Sequence, residues 1–200
     1  MARITQLTVG GSPAAWSSLG FSLDDSRCTF GDVVVRIDSD FEPGFVSWTL
    51  GQAAVSESPD GLVTTFDDRV VARASTSSII DVLGIDHVVV MTNDLERTTS
   101  AISRVTGEPL KRVREAGDGI RQGFHRLGSV VVEVVENVRV TQTHLWGFVL
   151  TVGNLDDVVA HMGPDVIGSP RDAVQSGRRI ATIRSGVGLG VPVALITPDA

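Results

Sequence analysis

Cysteine, long apolar runs and positive charge are all scarce in this chain of 200 residues. Cys28 is the single cysteine, which excludes an intrachain disulfide and a metal site built from several cysteines. No apolar run reaches the roughly 18 residues that a membrane-spanning helix needs, and the first residues lack the apolar stretch of a signal peptide. We therefore expect a cytoplasmic protein without membrane contacts, whose fold rests on packing.

The charge balance argues against nucleic acid as a partner. The chain has 17 Lys and Arg against 24 Asp and Glu, a net charge of −7, which opposes a phosphate backbone. The short basic runs at residues 111–114 and 178–179 are interpreted as solvated loops, or as contacts to an anion at most. A hydrophobic content of 42% with 20% charged residues is ordinary for a folded soluble protein.

A short pattern occurs twice, at residues 84–96 (GIDHVVVMTNDLE) and, degraded, at residues 145–157 (LWGFVLTVGNLDD). Each copy reads as an apolar strand, an Asn at or next to a helix start, and then Leu with acidic residues in the first turn. Each copy also ends in a valine-rich strand, at residues 130–135 and 191–196. Such a repeat indicates a fold assembled from copies of one supersecondary unit.

The signals within each copy predict the order β-α-β-β-β. The first copy, at about 84–140, is predicted to contain a strand at 85–92, a helix at 94–106, and strands at 110–115, 120–127 and 129–136, with turns at 117–119 and at Gly128. The second copy, at about 144–198, is predicted to contain a strand at 146–152, a helix at 155–162, and strands at 172–174, 178–184 and 191–197. Asn93 is predicted to cap the first helix, with Glu96 completing a capping box.

Residues 1–78 are interpreted as a third, more divergent module. A strand at 4–9 precedes a helix that is capped at Ser12 and has Pro13 in its first turn. Strands are then predicted at 32–37, 45–50 and 62–66. The polar stretch at 74–78 marks the boundary to a second domain at 79–200, which holds the two clearer copies.

The chain resembles the glyoxalase/bleomycin-resistance/dioxygenase superfamily, also called the vicinal oxygen chelate superfamily. The resemblance rests on tandem βαβββ modules, on His87 in a first strand, on the helix start TNDLE at 92–96, and on Glu133 in a fourth strand. It implies an α+β fold in which the modules form curved mixed sheets around a cleft. In that family one residue from the first strand and one from the fourth strand of each module typically hold a divalent metal. The enzymes are lyases, isomerases, epimerases, dioxygenases and thiol transferases, whereas the antibiotic-resistance members bind and sequester a drug.

The resemblance places His87 and Glu133 on ligand positions, and Glu133 is also the candidate catalytic residue. Period-two alternation puts Ile85, His87, Val89 and Met91 on one strand face, and Glu133 on another face between two valines. A carboxylate buried in that way must be paired, coordinated or protonated. Imidazole with carboxylate oxygen suits Zn, Fe, Mn, Co or Ni.

The other half of the expected ligand set is weaker. In the last module the matching positions are Gly147 and Ala194, whose side chains donate no lone pair. If the N-terminal copy faces the central one instead, the matching positions are Gln6 and Arg36. Gln6 could bind a metal, whereas Arg36 has no acceptor atom and would rather pair with Glu133.

Two functions therefore remain open. The first is a cleft protein that binds a small planar or amphipathic molecule, without a complete metal site; the missing ligands favour it slightly. The second is a divalent-metal-dependent lyase, isomerase or dioxygenase. Candidate substrate-binding residues are Arg121, Phe124, Trp146 and Arg179. We expect a small-molecule ligand and, because two-fold pairing is common among soluble proteins, a homodimer.

Overall fold

The computed structural model describes residues 1–69, 80–117 and 119–199, and within them the chain forms strands, three α-helices and two short 3-10 helices. The strands are β1 (Arg3–Gly10), β2 (Arg27–Phe30), β3 (Val33–Asp38), β4 (Gly44–Gly51), β5 (Thr64–Phe66), β6 (Val82–Thr92), β7 (Arg112–Glu115), β8 (Arg121–Leu127), β9 (Val130–Glu136), β10 (His144–Val152), β11 (Arg171–Asp172), β12 (Arg179–Thr182) and β13 (Val193–Ile196). The helices are α1 (Pro13–Ser18), α2 (Leu95–Thr106) and α3 (Leu155–Met162), and the 3-10 helices are Pro59–Gly61 and Ser185–Val187.

The strands form two mixed sheets, which confirms the predicted α+β class. The N-terminal sheet has the order β2-β3-β1-β4-β5, and the C-terminal sheet has the order β11-β12-β13-β10-β6-β9-β8-β7. In the C-terminal sheet the first strands of the two modules, β6 and β10, lie side by side and run antiparallel. Each first strand pairs in parallel with the last strand of its own module, β9 or β13. The two predicted βαβββ modules thus join at their first strands into one eight-stranded sheet.

Most predicted elements agree with the structure to within a few residues, because their alternating or helical patterns are long. Helix α3 was predicted at 155–162 and spans Leu155–Met162. Strand β2 was not predicted: it has four residues and follows a turn in which Asp25 and Ser26 both have positive φ. The predicted boundary at 74–78 and the centre of the predicted turn at 117–119 lie outside the described residues.

Helix α2 begins one residue later than the capping prediction assumed. The N-cap is Asp94, whose carboxylate accepts a hydrogen bond from the backbone N–H of Arg97 at 2.9 Å. The Asn93 side chain instead accepts from the Arg97 guanidinium. The predicted capping box is therefore wrong: Asp94 supplies the cap, and Glu96 turns outward to Arg121.

One continuous buried cluster joins the two sheets. Val88 and Val90 of β6 belong to this cluster, together with Trp16 of α1 and Trp48 of β4. At the centre of the junction Trp16 stacks on Phe148, with ring centroids 6.2 Å apart. The polar faces of both sheets are therefore turned away from the shared core. None of the helices among the described residues is long and apolar enough to span a membrane.

Candidate functional site

The C-terminal sheet curves around a pocket of about 340 Å³, here called the C-terminal cleft. Residues from both edge strands, β7 and β11, line it together with residues from the central strands. Its lining consists of His87, Arg112, Arg114, Gln122, Phe124, Glu133, residues 171–175, Ile180 and Ile196. Since both edges of the sheet contribute, the cleft lies inside the curve of the sheet, between the two modules.

His87 and Glu133 lie together in this cleft. The His87 Nε2 atom is 3.5 Å from the Glu133 Oε2 atom, and the two side chains are 14% and 15% exposed. Glu133 occupies the cleft face of β9, while Val132 and Val134 on either side of it enter the core. The alternation predicted for β9 therefore holds, and it brings the carboxylate to His87.

The predicted face of β6 needs a correction, because β6 contains a bulge. His87 pairs with Val149 and Ile85 pairs with Leu150, so Asp86 is an extra residue against β10. Beyond the bulge the phase of the strand changes. Ile85 joins the core while His87 faces the cleft, so the two do not share a face.

The bulge also gives His87 a hydrogen-bond partner from its own strand. The His87 Nδ1 atom is 2.6 Å from the Asp86 Oδ2 atom. Asp86 in turn accepts from the Arg178 guanidinium at 2.6 Å, and Arg178 is itself only 5% exposed. Burial alone would raise the pKa of Asp86, but the hydrogen bonds from His87 and Arg178 outweigh it and hold that pKa below the usual range.

Asp86 and Glu133 lie at the two nitrogens of the His87 ring. The Asp86 carboxylate is within hydrogen-bond distance of Nδ1, and the Glu133 carboxylate is 3.5 Å from Nε2. An imidazole in contact with a carboxylate is an arrangement that serves in general acid–base catalysis.

Two arginines of β7 line the cleft together with His87 and Glu133. Arg112 and Arg114 lie on the same face of β7, with their guanidinium carbons 4.9 Å and 5.7 Å from the centre of the Phe124 ring. Arg114 also donates to the Gln122 amide oxygen at 2.9 Å. These contacts orient the two planar cations toward the cleft, where guanidinium groups bind carboxylates well.

The second module contributes apolar side chains to the cleft. Val149, Ala194 and Ile196 form a small buried cluster, packed against Ala173 and Ile180. Of these, Ala173, Ile180 and Ile196 line the cleft directly. The first module therefore supplies two guanidinium groups to the cleft, and the second module supplies these apolar side chains together with the polar residues Arg171, Asp172 and Gln175. Such a mixed lining suits a small amphipathic anion.

The residues do not fit the four-ligand metal site that the family resemblance implies. Among the described residues, no group of three or more His, Cys, Asp or Glu side chains is arranged to hold a metal ion. Ala194 offers no donor atom. Gly147 leaves no room for one, because a Cβ added there would lie 2.5 Å from the Pro192 carbonyl oxygen. Among the described residues of the C-terminal sheet, the expected ligand positions with a donor side chain are thus His87 and Glu133.

The N-terminal candidates lie elsewhere. Gln6 and Arg36 line a separate pocket on the N-terminal sheet, and Arg36 pairs with Asp38 at 2.8 Å rather than with Glu133. The expectation that Gln6 joins His87 and Glu133 in one cleft is therefore corrected: Gln6 belongs to a different sheet with its own concave face.

Of the four candidate substrate-binding residues, Phe124 lines the cleft. Arg121 instead holds Glu96 of α2 at 2.6 Å and Glu136 of β9 at 2.8 Å, and Arg179 pairs with Asp156 of α3 at 2.8 Å. Trp146 is the extra residue of a bulge in β10 and is 48% exposed outside the lining of the cleft. Arg121 and Arg179 thus connect the starts of α2 and α3 to the sheet.

Sequence reasoning missed Asp86, Arg178 and the two arginines of β7. Strict alternation puts Asp86 on the face opposite His87, and only the bulge brings the two together. Arg178 was assigned to a solvated loop, yet it is buried against Asp86. The basic run at 111–114 did carry a usable signal, since residues 112 and 114 must share a strand face.

No protein-family model matches this chain, and no curated protein matches it significantly. Solved structures do match. The methylmalonyl-CoA epimerase of Mycobacterium tuberculosis superposes with a TM-score of 0.51 at 18% sequence identity, over 60% of this chain and 90% of that one. A variant of the Streptomyces coelicolor methylmalonyl-CoA epimerase, in complex with 2-nitronate-propionyl-CoA, gives 0.50 at 18% identity, over 60% and 97%.

These likenesses confirm the fold. The epimerases have the vicinal oxygen chelate fold, and the chain shares it over the matched part. At 18% identity the match carries the architecture and not the activity. The remaining two fifths of this chain have no counterpart in those proteins.

Proposed function

We propose that the C-terminal cleft is the active site of an isomerase- or lyase-type enzyme, which moves a proton at a carbon next to a carbonyl group of a small anionic substrate. The observation that carries the proposal is the His87–Glu133 pair, 3.5 Å apart and largely buried, in a cleft that also holds two guanidinium groups on Phe124. This reaction class needs a general base and positive groups near the developing charge, which the Glu133 carboxylate beside His87 and the two guanidinium groups would supply.

In the proposed reaction Glu133 takes the proton from the substrate carbon. The electron pair of the broken C–H bond moves into the carbonyl group and forms an enolate. Return of the proton from Glu133 restores the original carbonyl compound, whereas addition of a proton from solvent to the opposite face inverts the carbon and leaves Glu133 to release its own proton to solvent. Arg112 and Arg114 bind the substrate carboxylate and offset the charge that develops on the enolate oxygen. Arg178 and Asp86 hold the His87 ring with its Nε2 atom toward Glu133.

The fold likeness supports an enzyme over a protein that only binds. Both matched structures are epimerases, and one of them holds 2-nitronate-propionyl-CoA. The volume of the cleft, about 340 Å³, suits a short acyl group better than a whole coenzyme. A thioester substrate would therefore extend out of the cleft toward solvent.

The test follows exchange of the substrate proton with solvent. Methylmalonyl-CoA is incubated with the protein in deuterated buffer, and loss of the proton next to the thioester carbonyl is followed by NMR. We expect exchange with the wild type and a rate at least about 100-fold lower with Glu133→Gln, since that is the usual contribution of a positioned base. Glu115→Gln, an exposed glutamate at the edge of the same sheet, is the matched control and should exchange like the wild type.

A second candidate function is binding without turnover. It is favoured by Gly147 and Ala194, which replace half of the family's ligand set. In that case methylmalonyl-CoA shifts the amide signals of β7 and β8 in NMR spectra, yet its proton does not exchange. Exchange at equal rates in wild type and Glu133→Gln would contradict the role of Glu133, and neither exchange nor binding would contradict both functions for this ligand class.

Measurement of metal content distinguishes a metal-dependent enzyme, as the family resemblance implies, from the proposed proton transfer by Glu133. Wild type and Glu133→Gln, purified without a His tag, are loaded in turn with Mn, Fe(II), Co, Ni and Zn. We expect no stoichiometric metal in either protein, because the described donor set contains two side chains. Stoichiometric metal that disappears in Glu133→Gln would favour the metal-dependent enzyme instead.

The homodimer expected from the sequence stays a proposal, and light scattering tests it.

A further inference from the structure

The N-terminal sheet repeats the strand pairing at the centre of the C-terminal sheet. Its first strand β1 runs parallel to β3 and antiparallel to β4, as β6 runs parallel to β9 and antiparallel to β10. Strand β1 also carries the same bulge: Ile4 pairs with Leu50 and Gln6 with Thr49, which leaves Thr5 as the extra residue. Thr5 thus stands where Asp86 stands, and Gln6 stands where His87 stands.

The parallel register completes the correspondence. Arg36 of β3 lies opposite Thr8, as Glu133 of β9 lies opposite Val89. Arg27 of β2 lies opposite Arg36, as Phe124 of β8 lies opposite Glu133. The N-terminal sheet therefore carries a second cleft in the equivalent place, with a base replaced by a guanidinium group.

This N-terminal cleft has a volume of about 590 Å³. It is lined by Thr5, Gln6, Arg27, Val34, Arg36, Thr49, Thr65, Phe66, Asp67 and Arg69. The side chains are three guanidinium groups, three hydroxyls and one amide, against a single carboxylate. Asp67 is already paired with Arg69 at 2.6 Å, which leaves Arg27 and Arg36 as the other charged side chains of the lining.

Arg27 and Arg36 point to what the cleft holds. They are direct cross-strand neighbours on an antiparallel pair, and both side chains line the same cavity. Like charges placed directly opposite each other destabilise a sheet. Asp38 pairs with Arg36 at 2.8 Å. Asp25 lies 3.7 Å from Arg27, and both of these side chains are at least half exposed, so Asp25 compensates the charge of Arg27 only weakly. An oxyanion between the two guanidinium groups turns the repulsion into two charge-assisted contacts.

The floor of the cleft supplies neutral donors. The Thr49 and Thr65 hydroxyls are 2.7 Å apart, and the Thr65 hydroxyl also lies 3.5 Å from the Trp48 carbonyl oxygen. The proton of Thr49 is available to another acceptor when Thr65 donates to Thr49. Gln6 uses one amide proton on the Thr8 hydroxyl at 3.1 Å, and its second amide proton has no partner among the residues that the structure describes. Hydroxyl and amide protons beside guanidinium groups are a recurring environment for carboxylate and phosphate oxygens.

We infer that the N-terminal cleft is a binding site for a small oxyanion-bearing ligand, held by Arg27 and Arg36 with Gln6, Thr49 and Thr65 below it. The ligand class is a carboxylate or a phosphate ester. The site is separate from the C-terminal cleft and does not depend on the function proposed for it. Its described lining contains no histidine, and the inference concerns binding alone.

The inference is tested by NMR titration of the isotope-labelled protein with inorganic phosphate and, separately, with malonate, at constant ionic strength. We expect saturable shifts of the amides of β2 and β3, with a millimolar dissociation constant for at least one of the two ions. Arg36→Gln should weaken binding at least about tenfold, because it removes a charge-assisted contact. Saturation by phosphate alone identifies a phosphate-bearing ligand, and saturation by malonate alone identifies a carboxylate.

Two further variants keep the result interpretable. Arg27→Gln removes the other guanidinium group from a half-exposed position on the neighbouring strand, and it should weaken binding in the same way. Arg104→Gln removes an equal charge from an exposed ion pair with Glu57, outside the cleft, and should bind like the wild type. Glu133→Gln should also leave these shifts unchanged, which separates this test from the one for the C-terminal cleft.

Three results would overturn the inference. They are the absence of saturable shifts with either ion, unchanged binding in Arg36→Gln, and shifts that follow Arg112 and Arg114 instead of β2 and β3. Thermal unfolding gives a second readout, since phosphate should raise the melting temperature of the wild type more than that of Arg36→Gln.

Discussion

Burial of a single imidazole makes the stability of this protein depend on pH. His125 is 1% exposed, and within the described part of the chain neither of its ring nitrogens makes a hydrogen bond of good geometry, although the backbone of Glu108 and Pro109 lies close to the ring. Burial lowers the pKa of His125 from its ordinary value of 6.5, with a smaller contribution in the same direction from Lys111, and the backbone of Glu108 and Pro109 opposes the shift without cancelling it.

Because the unfolded chain takes up this proton first, stability should fall as the pH drops below about 6.5, by at most about 1.4 kcal/mol per pH unit. We predict that His125→Leu flattens the loss of stability between pH 7 and pH 5.5, as measured by urea unfolding at several pH values. His161→Leu, which changes an exposed histidine, is the control and should follow the wild type. The same slope in His125→Leu and wild type would show that His125 is not responsible.

At the residue scale the family resemblance put His87 and Glu133 on matching positions, but the surroundings of the two residues were not predicted. Alternation in β9 adds that Glu133 lies on the face opposite Val132 and Val134. Asp86 could not be placed, because a bulge is defined by the pairing of β6 with β10 and leaves no mark in β6 alone. The buried Arg178 was missed because the basic run at 178–179 was interpreted as a solvated loop.

At the element scale, Arg121 and Arg179 act as clamps between helix starts and strands. Arg121 of β8 donates to both oxygens of Glu96 in the first turn of α2, at 2.6 and 2.9 Å, and to both oxygens of Glu136. Glu136 also accepts from the Leu95 backbone N–H at 3.0 Å. The hydrogen bonds from Arg121 lower the pKa values of Glu96 and Glu136.

Arg179 makes a simpler contact, a single exposed pair with Asp156 in the first turn of α3. We predict that Arg121→Gln lowers the melting temperature by several degrees, whereas Arg179→Gln changes it little, because a lone exposed ion pair stabilises weakly and a bidentate network does more. Differential scanning calorimetry of the two variants makes the comparison.

The clamp also has a pH signature. Carboxyl groups whose folded pKa is lowered stabilise above their unfolded pKa, ordinarily 4.5 for glutamate, and lose that contribution as the pH falls through the folded value. The gap between Arg121→Gln and wild type should therefore close in strongly acidic buffer. Equal melting temperatures of Arg121→Gln and Arg179→Gln at neutral pH would contradict the clamp.

Elements with long patterns were predicted from sequence, whereas the four-residue strand β2 was missed. Strand β6, helix α2 and helix α3 carry enough alternating or helical apolar positions to define them. Strand β2 is defined by its pairing with β3. The two-residue strand β11 was predicted at 172–174 and lies at Arg171–Asp172, where its pairing with β12 sets its limits. The role of Arg121 and Arg179 follows from the positions of Glu96 and Asp156, which the sequence did not give.

At the scale of the whole molecule, the two sheets are held together by polar and apolar contacts. Asp60, in the 3-10 helix before β5, accepts from Arg97 of α2 at 2.7 Å and from the Thr143 hydroxyl at 2.7 Å. Trp16 of α1 donates to the Leu189 carbonyl at 3.2 Å. The repeat predicted two βαβββ modules, but the sequence held no signal for this junction, which joins segments that are distant along the chain.

The aromatic contact at the centre of the junction predicts that the two halves unfold together. Phe148 of β10 is 2% exposed, stacks on Trp16 and meets the edge of Phe45 at 6.1 Å. Phe148→Ala should cost about 3–5 kcal/mol, as truncation of a buried phenylalanine does. If one core serves both sheets, that loss should lower the stability of both halves and not only of the half that contains Phe148.

Two signals report the halves separately during urea unfolding. In a background that carries Trp146→Phe, the buried Trp16 and Trp48 give a fluorescence signal from the N-terminal half, and far-UV circular dichroism mainly follows α2 and α3 in the C-terminal half. We expect the two midpoints to coincide in the wild type and to fall by the same amount in Phe148→Ala, while Val138→Ala, at a site that is 87% exposed, leaves both unchanged. A fluorescence midpoint that stays in place while the dichroism midpoint falls would mean that residues 1–78 fold as an independent domain, as the polar stretch at 74–78 suggested, and that the shared core contributes little to the N-terminal half.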